Sequence, residues 1–155
     1  VFEKVKTGMH TRLMHNVFDA MLHTPRDRRS EAQCTEDARG WLDFVGFRAD
    51  DELLVTQLPY GEQRRVEIAR ALAPQPKLLL LDEPSSAMDH QSEDALKSRL
   101  KRFCTGKTMV LVTHRTSLLE LVDRLIVIDS GKIVADGPKA QVVEALQSGR
   151  IGRAA

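Results

Sequence analysis

The sequence predicts an α/β fold in which a helical subdomain over residues 1–73 is followed, over residues 74–155, by part of a mainly parallel sheet with helices. Three observations carry this expectation. The first third has apolar residues at helical spacing. Pro74 and Pro76 mark a sharp change of pattern. After them, short apolar runs alternate with a helical pattern, the order found in layered α/β domains.

Each element follows from its own residues. Met9, Leu13, Val17 and Met21 form one row at four-residue spacing, and Met14, Phe18 and Leu22 form the adjacent row, giving a helix with a broad apolar stripe. Pro25 and the basic stretch Arg26-Asp27-Arg28-Arg29 end it. Ser30 opens the next helix, with Gln33 completing a capping box and Cys34, Ala38, Trp41, Leu42 and Val45 as its buried face. A third helix follows Pro59 and runs to about Ala73, where Pro74 stops it.

From Leu78 to Leu81 the chain is apolar over a length suited to a strand buried on both faces. A helix from about Gln91 to Phe103 comes next, with Ala95, Leu96, Leu100 and Phe103 inward, and Gly106 ends it. Met109 to Val112 and Leu125 to Ile128 are expected as two more buried strands. Ser130-Gly131 turns the latter into a short partner, Ile133 to Ala135, and Gly137-Pro138 starts a last helix through Leu146. With few strands to share the sheet, Leu79, Leu81, Leu111 and Val127 are expected to be partly uncovered.

Composition excludes several classes. The 155 residues are 42% apolar and 29% charged, the range of soluble globular domains. Lys+Arg 23 against Asp+Glu 22 leaves a net charge of +1, so no global field favours nucleic acid. No apolar run approaches the ~20 residues of a membrane span. Cys34 and Cys104 have no CxxC pairing and read as buried small apolar groups in a reducing cytosol. His10, His15 and His23 lack the spacing of helical metal ligands, and Arg26, Arg28 and Arg29 read as a solvated turn.

The strongest motif is Leu78-Leu79-Leu80-Leu81-Asp82-Glu83-Pro84. A buried strand ending in two carboxylates delivers them to the C-terminal sheet edge, where α/β proteins bind ligands. Adjacent acids are costly to bury unpaired, which points to a cation and a proton acceptor; a plain acidic turn is the alternative. Upstream, Gly61 stands at a helix start within Leu58-Pro59-Tyr60-Gly61-Glu62-Gln63. There, free N–H groups and the positive dipole end favour phosphate, although a charged, solvated helix has the same pattern. Downstream come Ser86-Ala87-Met88-Asp89 and then Thr113-His114, a histidine closing a strand.

In this order and spacing, the series resembles the C-terminal part of ATP-binding-cassette (ABC) ATPases, which have a P-loop NTPase-like fold, over nearly the whole chain. The resemblance implies that Leu58, Pro59, Tyr60, Gly61 and Glu62 form the signature motif, capping the γ-phosphate of ATP on an opposite subunit. It implies that Asp82 acts on Mg²⁺, that Glu83 is the base for the attacking water, that Ser86 to Asp89 cross the dimer interface, and that His114 contacts the γ-phosphate. It further implies ATP and Mg²⁺ as cofactors, a head-to-tail second ATPase subunit and transporter membrane subunits as partners, no nucleic acid, and a cytoplasmic position on the inner face of the cell membrane.

The signature departs from the usual Leu-Ser-Gly-Gly-Gln, because Pro59 brings neither hydroxyl nor N–H. Tyr60-Gly61 and the run after it are similar to branched-chain amino acid importer ATPases, as are Leu22-His23-Thr24-Pro25 and Trp41 to Gly46. Ser85 to Glu93 and Val110 to Arg115 are similar to ATPases of type I secretion exporters, which suggests a mosaic with a seam near Pro84. Uptake of branched-chain amino acids is the leading expectation. An exporter ATPase, a soluble repair or translation ATPase, and a non-catalytic module completing a partner's site are the alternatives.

The 155 residues contain no Gly-x-x-x-x-Gly-Lys-Ser/Thr loop. Gly106-Lys107-Thr108 matches only its tail, on the wrong side of Asp82, and reads as a helix-to-strand turn. The chain therefore reads as part of something longer and is expected to be inactive alone.

Overall fold

The computed structural model describes residues 1–9, 25–50 and 53–149. The helical rows built on Leu13, Met14, Val17, Phe18, Met21 and Leu22, and the histidines His10, His15 and His23, lie outside these residues, as do the side chains of Arg26, Arg28 and Arg29. The chain forms two compact units, Val1–Val112 and Thr113–Ala155.

The first unit contains α1 (Phe2–Met9), α2 (Pro25–Val45), a 3₁₀ turn (Val55–Gln57), α3 (Tyr60–Leu72), β1 (Leu78–Asp82), α4 (His90–Phe103) and β2 (Thr108–Val112). Helix α2 begins at Pro25, earlier than Ser30, because proline's fixed φ and missing N–H suit the first helical position. Helices α1, α2 and α3 pack on one another. Their core is Val5 and Met9 of α1, Cys34, Ala38, Leu42 and Val45 of α2, and Val66, Ile68, Ala69 and Leu72 of α3. Trp41 is only half-buried and meets Phe44 and Phe103 edge-on, at centroid distances of 5.6 and 5.7 Å.

In α4, Leu96 and Leu100 point inward as expected, whereas Ala95 is exposed and Phe103 half-buried. Glu93, not Ala95, continues the buried stripe, since it precedes Leu96 by one helical repeat. Cys34 is buried and Cys104 half-buried, both as free thiols. Burial pushes the Cys104 thiol pKa up.

Strands β1 and β2 pair in parallel, from Leu78 opposite Thr108 to Asp82 opposite Val112. Only one face is covered. Leu79 and Leu81 are 3% and 6% exposed, but Leu78 and Leu80 are 59% and 65% exposed, flanked by exposed Val110 and Val112. The expectation of a strand buried on both faces is corrected, and the uncovered leucines are Leu78 and Leu80, not Leu79 and Leu81. An unbroken leucine run has no polar alternation to reveal which phase turns inward.

The second unit holds a 3₁₀ turn (Thr116–Leu121), β3 (Arg124–Asp129), β4 (Lys132–Pro138) and α5 (Lys139–Gln147). Ser130 and Gly131, with φ of 48° and 75°, close an antiparallel hairpin, the geometry two-residue turns prefer. Arg124 clasps Asp136 across the strands with two bonds of 2.8 Å. Ile126 and Ile128 are exposed and Val127 half-buried, so β3 is not the buried strand expected from its sequence. Within the α/β class, one described strand pair is parallel and the other antiparallel.

Asp89 caps α4, accepting from the Ser92 N–H at 2.9 Å and from its hydroxyl at 2.7 Å. These bonds, the hydroxyl's first, hold its carboxyl below the usual aspartate range. With the folded pKa depressed, the cap's contribution is complete above the unfolded aspartate pKa and is lost as pH falls through the folded value. Thermal unfolding of wild type and Asp89→Ala should differ at pH 7 and converge in strong acid, while Asp89→Asn keeps most of the cap. The open face of β1 and β2 should drive self-association, reduced in Leu80→Lys. A wild-type chain that sediments as a monomer at high concentration would contradict this.

Candidate functional site

The start of α3 is shaped by its own side chains. Leu58 is buried, and its carbonyl accepts from Gln63 Nε2 at 2.8 Å. Pro59, with φ −55° and ψ 147°, is the N-cap without a side-chain cap bond, and its carbonyl receives the Glu62 and Gln63 N–H groups at 2.9 and 3.0 Å. The N–H groups of the first turn, at Tyr60 and Gly61, have no carbonyl four residues back within the helix, and the positive dipole end lies there. Tyr60 is half exposed, with the Arg64 guanidinium 5.0 Å from its ring centroid and Arg64 Nη2 donating to its hydroxyl at 2.6 Å. Arg64 Nη1 reaches Glu67 at 2.8 Å, and that bond, chiefly, raises the Arg64 pKa.

Glu62 faces inward: one oxygen accepts the Arg48 N–H at 3.2 Å and the other lies 3.3 Å from Arg65 Nε. Arg65 is 8% exposed, and its Nη1 donates to the carbonyls of Val45, at 3.1 Å, and Gly46. Arg99 of α4 adds a bond of 3.3 Å to the Asp43 carbonyl. Helix α2 has no basic residue in its own last turn. Its orphan carbonyls and negative dipole end are therefore satisfied by two guanidinium groups from other helices. Gly46 (φ 75°) lies so close to both that a Cβ would stand 2.8 Å from Arg65 Nη1.

Asp82 ends β1 with its side chain exposed. Glu83 is half-buried and its N–H donates to the Val112 carbonyl at 2.9 Å, one step beyond the ladder. Its φ of 44° is costly for a non-glycine residue, by about 1 kcal/mol or more. The chain then folds tightly: the Ser86 N–H donates to the Glu83 carbonyl and the Met88 N–H to the Ser85 carbonyl, both at 3.1 Å. The Ser85 and Ser86 hydroxyl oxygens are buried and lack a hydrogen-bond partner among the described residues. Ala87, with φ 60°, presents its carbonyl to Gly61, where a Cβ would stand 3.0 Å from that oxygen. Gly61 thus permits the loop after Glu83 to lie against the start of α3.

His114 belongs to the second unit and is exposed, between Thr113 and Arg115, whose N–H donates to Thr113 Oγ1 at 3.1 Å. Gly106, with φ 74°, turns α4 toward β2, and Lys107 rests on the Phe103 ring at 3.4 Å, so Gly106-Lys107-Thr108 is a helix-to-strand turn. Among the described residues, no three His, Cys, Asp or Glu side chains gather as a metal cluster, and no helix is long and apolar enough to cross a membrane. A cavity of about 670 Å³ along α2, lined by Ala32, Thr35, Glu36, Arg39, Gly40 and Asp43, shares no residue with the motifs.

The sequence pattern of α3 fits a charged, solvated helix as well as a phosphate-binding one, and it does not single out Arg64 or Arg65. A signal for Arg65 is still present: with Ala69 and Leu72 it falls on the buried stripe of α3.

The chain is similar to known proteins in sequence and in fold. The family profile described as ABC transporter matches residues 2–86. The chain is 36% identical over 155 residues to the L-cystine import ATP-binding protein TcyC of Bacillus subtilis (strain 168), covering 99% of this chain and 62% of that protein. It is 30% identical over 145 residues to the high-affinity branched-chain amino acid transport ATP-binding protein LivG of Escherichia coli (strain K12), covering 92% of this chain and 57% of the relative. It is 39% identical over 84 residues, 54% of this chain and 12% of the relative, to the leukotoxin translocation ATP-binding protein LktB of Mannheimia haemolytica. The chain thus spans about three fifths of the lengths of TcyC and LivG. Its fold matches a dimeric ATP-binding cassette solved with ADP and Pi in a post-hydrolysis state, at TM-score 0.74 and 24% identity, over 88% of this chain and 55% of that one. The chain belongs to the ABC transporter family of ATP-binding proteins.

Proposed function

We propose that this chain takes part in two composite ATP sites of a head-to-tail dimer of ATP-hydrolysing transporter subunits: the start of α3 caps ATP held by the phosphate loop of the opposite subunit, and Asp82, Glu83 and His114 act on ATP held by a phosphate loop of their own subunit. The observation that carries the reading is the close seating of the Ala87 carbonyl on Gly61. It joins the start of α3, with its unspent N–H groups, to the loop that leaves Asp82 and Glu83, so the element that caps one nucleotide is braced against the element that acts on the other.

In this reading Leu58 to Glu62 cap the γ-phosphate, with the backbone at Gly61 as the point of closest approach. The buried Leu58 and the inward Glu62 act through the backbone they fix. Asp82, exposed at the end of β1, suits Mg²⁺, which takes one or two carboxylates and draws its remaining ligands from phosphate oxygens and water. Bound there, Mg²⁺ would neutralise phosphate charge. Glu83 accepts a proton from the attacking water as the water oxygen bonds to the γ-phosphorus and the bond to the ADP oxygen breaks. Ser86 to Asp89 face the partner subunit, and His114 contacts the γ-phosphate. Residues 1–73 serve the membrane subunits and residues 74–155 the catalytic core, on the inner face of the membrane.

Amino-acid uptake is the favoured transport reaction, of branched-chain amino acids in particular. The importer relatives align over 92–99% of this chain and LktB over 54%. LktB supports export as the second reading.

The 155 residues alone should bind Mg-ATP weakly and show no turnover. Joined at the N-terminal side to a segment that carries a phosphate loop, they should support hydrolysis. Glu83→Gln should then slow turnover about 10²–10⁴-fold and leave ATP binding intact. Wild-type turnover in Glu83→Gln would remove Glu83 from the role of base.

A further inference from the structure

We infer that the Tyr60 phenol supplies the phosphate donor that Pro59 cannot, and that Arg64 and Glu67 are positioning residues for it; this rests on the proposed role of residues 58–62 as a phosphate cap. Its ligand is the terminal phosphate of a nucleoside triphosphate such as Mg-ATP.

The argument starts from donor counting. Pro59 stands at the N-cap, where a serine or threonine hydroxyl would commonly be found, and offers neither hydroxyl nor N–H. The next residue, Tyr60, keeps 50% of its surface exposed instead of burying its ring in the core between α1, α2 and α3. Arg64 Nη2 lies 2.6 Å from its hydroxyl. A guanidinium has donors only, so in that bond the phenolic oxygen must accept. The phenol's own proton is left for a second acceptor. A cation bonded to the oxygen withdraws electron density from it, which makes the O–H a stronger donor, and charge-assisted bonds are the stronger class.

The same contacts fix the direction. The guanidinium lies 5.0 Å from the ring centroid, and its other arm is held by Glu67 at 2.8 Å. The series Glu67, Arg64, Tyr60 thus runs back up one face of α3 to its first turn, each member at the three- or four-residue spacing that places side chains side by side. The phenol is steadied on the first turn of α3, the turn that carries the Gly61 N–H, and the charge of Arg64 adds to the positive end of the helix. The result is a donor pair, one backbone and one phenolic, where a serine-type signature would use a hydroxyl.

Tyr60 is the single tyrosine of the 155 residues, so labelling tyrosine with ¹³C at Cζ gives one resonance. The labelled chain, paired with an ABC subunit that carries a phosphate loop, is titrated with Mg-ATP, following that resonance together with the Gly61 amide. The expected result is a saturable shift at both atoms with one dissociation constant, and an affinity about ten- to a hundredfold weaker in Tyr60→Phe, the range for losing a hydrogen bond to a charged group. Arg64→Gln should weaken affinity and reduce the shift at Cζ. Arg64→Lys, which keeps the charge but not the planar fork, should restore only part of both. A Gly61 amide that responds while Tyr60 Cζ is silent and Tyr60→Phe binds as wild type overturns the inference and leaves the phosphate cap standing. An unchanged affinity and Cζ shift in Arg64→Gln overturns the positioning role. If neither atom responds, the phosphate cap itself fails, and this inference with it.

Discussion

The Arg65 guanidinium is the constraint on which the first unit depends. It is almost fully buried, and it holds the Val45 and Gly46 carbonyls at the end of α2 while sitting beside Glu62. A buried charge of this kind persists only if partnered on several sides. Here the partners are the negative end of one helix and a carboxylate from the first turn of another. Glu62 extends the link to the Arg48 N–H, so the chain leaving α2 is tied to the first turn of α3. Arg99 repeats the device from α4, which ties the helix following the loop of Ser86 to Asp89 to the same C-terminus. One helix end therefore organises both segments proposed to meet nucleotide.

Local strain is concentrated where those segments meet. Glu83 and Ala87 both have positive φ without being glycine, at 44° and 60°. Such conformations persist where surrounding bonds over-determine them. For Glu83 the bond is to the Val112 carbonyl, and for the loop it is the pair of turns through Ser86 and Met88. The absent side chain at Gly61 gives the Ala87 carbonyl its seat. The tight turn holds the carboxylate pair and the start of α3 in one frame.

Much of this was legible in the sequence because it rests on local patterns. The prolines at positions 59 and 74 bracket α3, the Ser130-Gly131 turn sets the hairpin, and the spacing from Gly61 through Asp82-Glu83 to Asp89 marks the family. What could not be read depends on contacts between distant residues. Leucines 78 to 81 carry no phase, so the sequence suits burial on both faces, whereas only Leu79 and Leu81 are covered. Pro25 suits the end of one helix and the first turn of the next alike, and the fold uses it as a first turn. The inward pairing of Arg65 and Glu62 is hidden from the sequence, because their partners are carbonyls and an N–H that composition does not display. The Tyr60 and Arg64 pair lies four residues apart, within reach of sequence reasoning, but its meaning emerges only once Pro59 is seen at the cap.

Amide hydrogen exchange in Arg65→Met tests the central claim most directly, because the two segments joined by Arg65 report separately. The probes are the Arg48 N–H, which bonds to Glu62, and the Gln63 N–H, which bonds to the Pro59 carbonyl. Losing the buried guanidinium should speed exchange at both sites together, by about tenfold or more, the equivalent of at least one lost hydrogen bond to a charged group. Arg99→Met, which releases only the Asp43 carbonyl, should leave Gln63 unchanged. Faster exchange at Arg48 with Gln63 unaltered in Arg65→Met would show that the two ends are held independently, and would contradict the account.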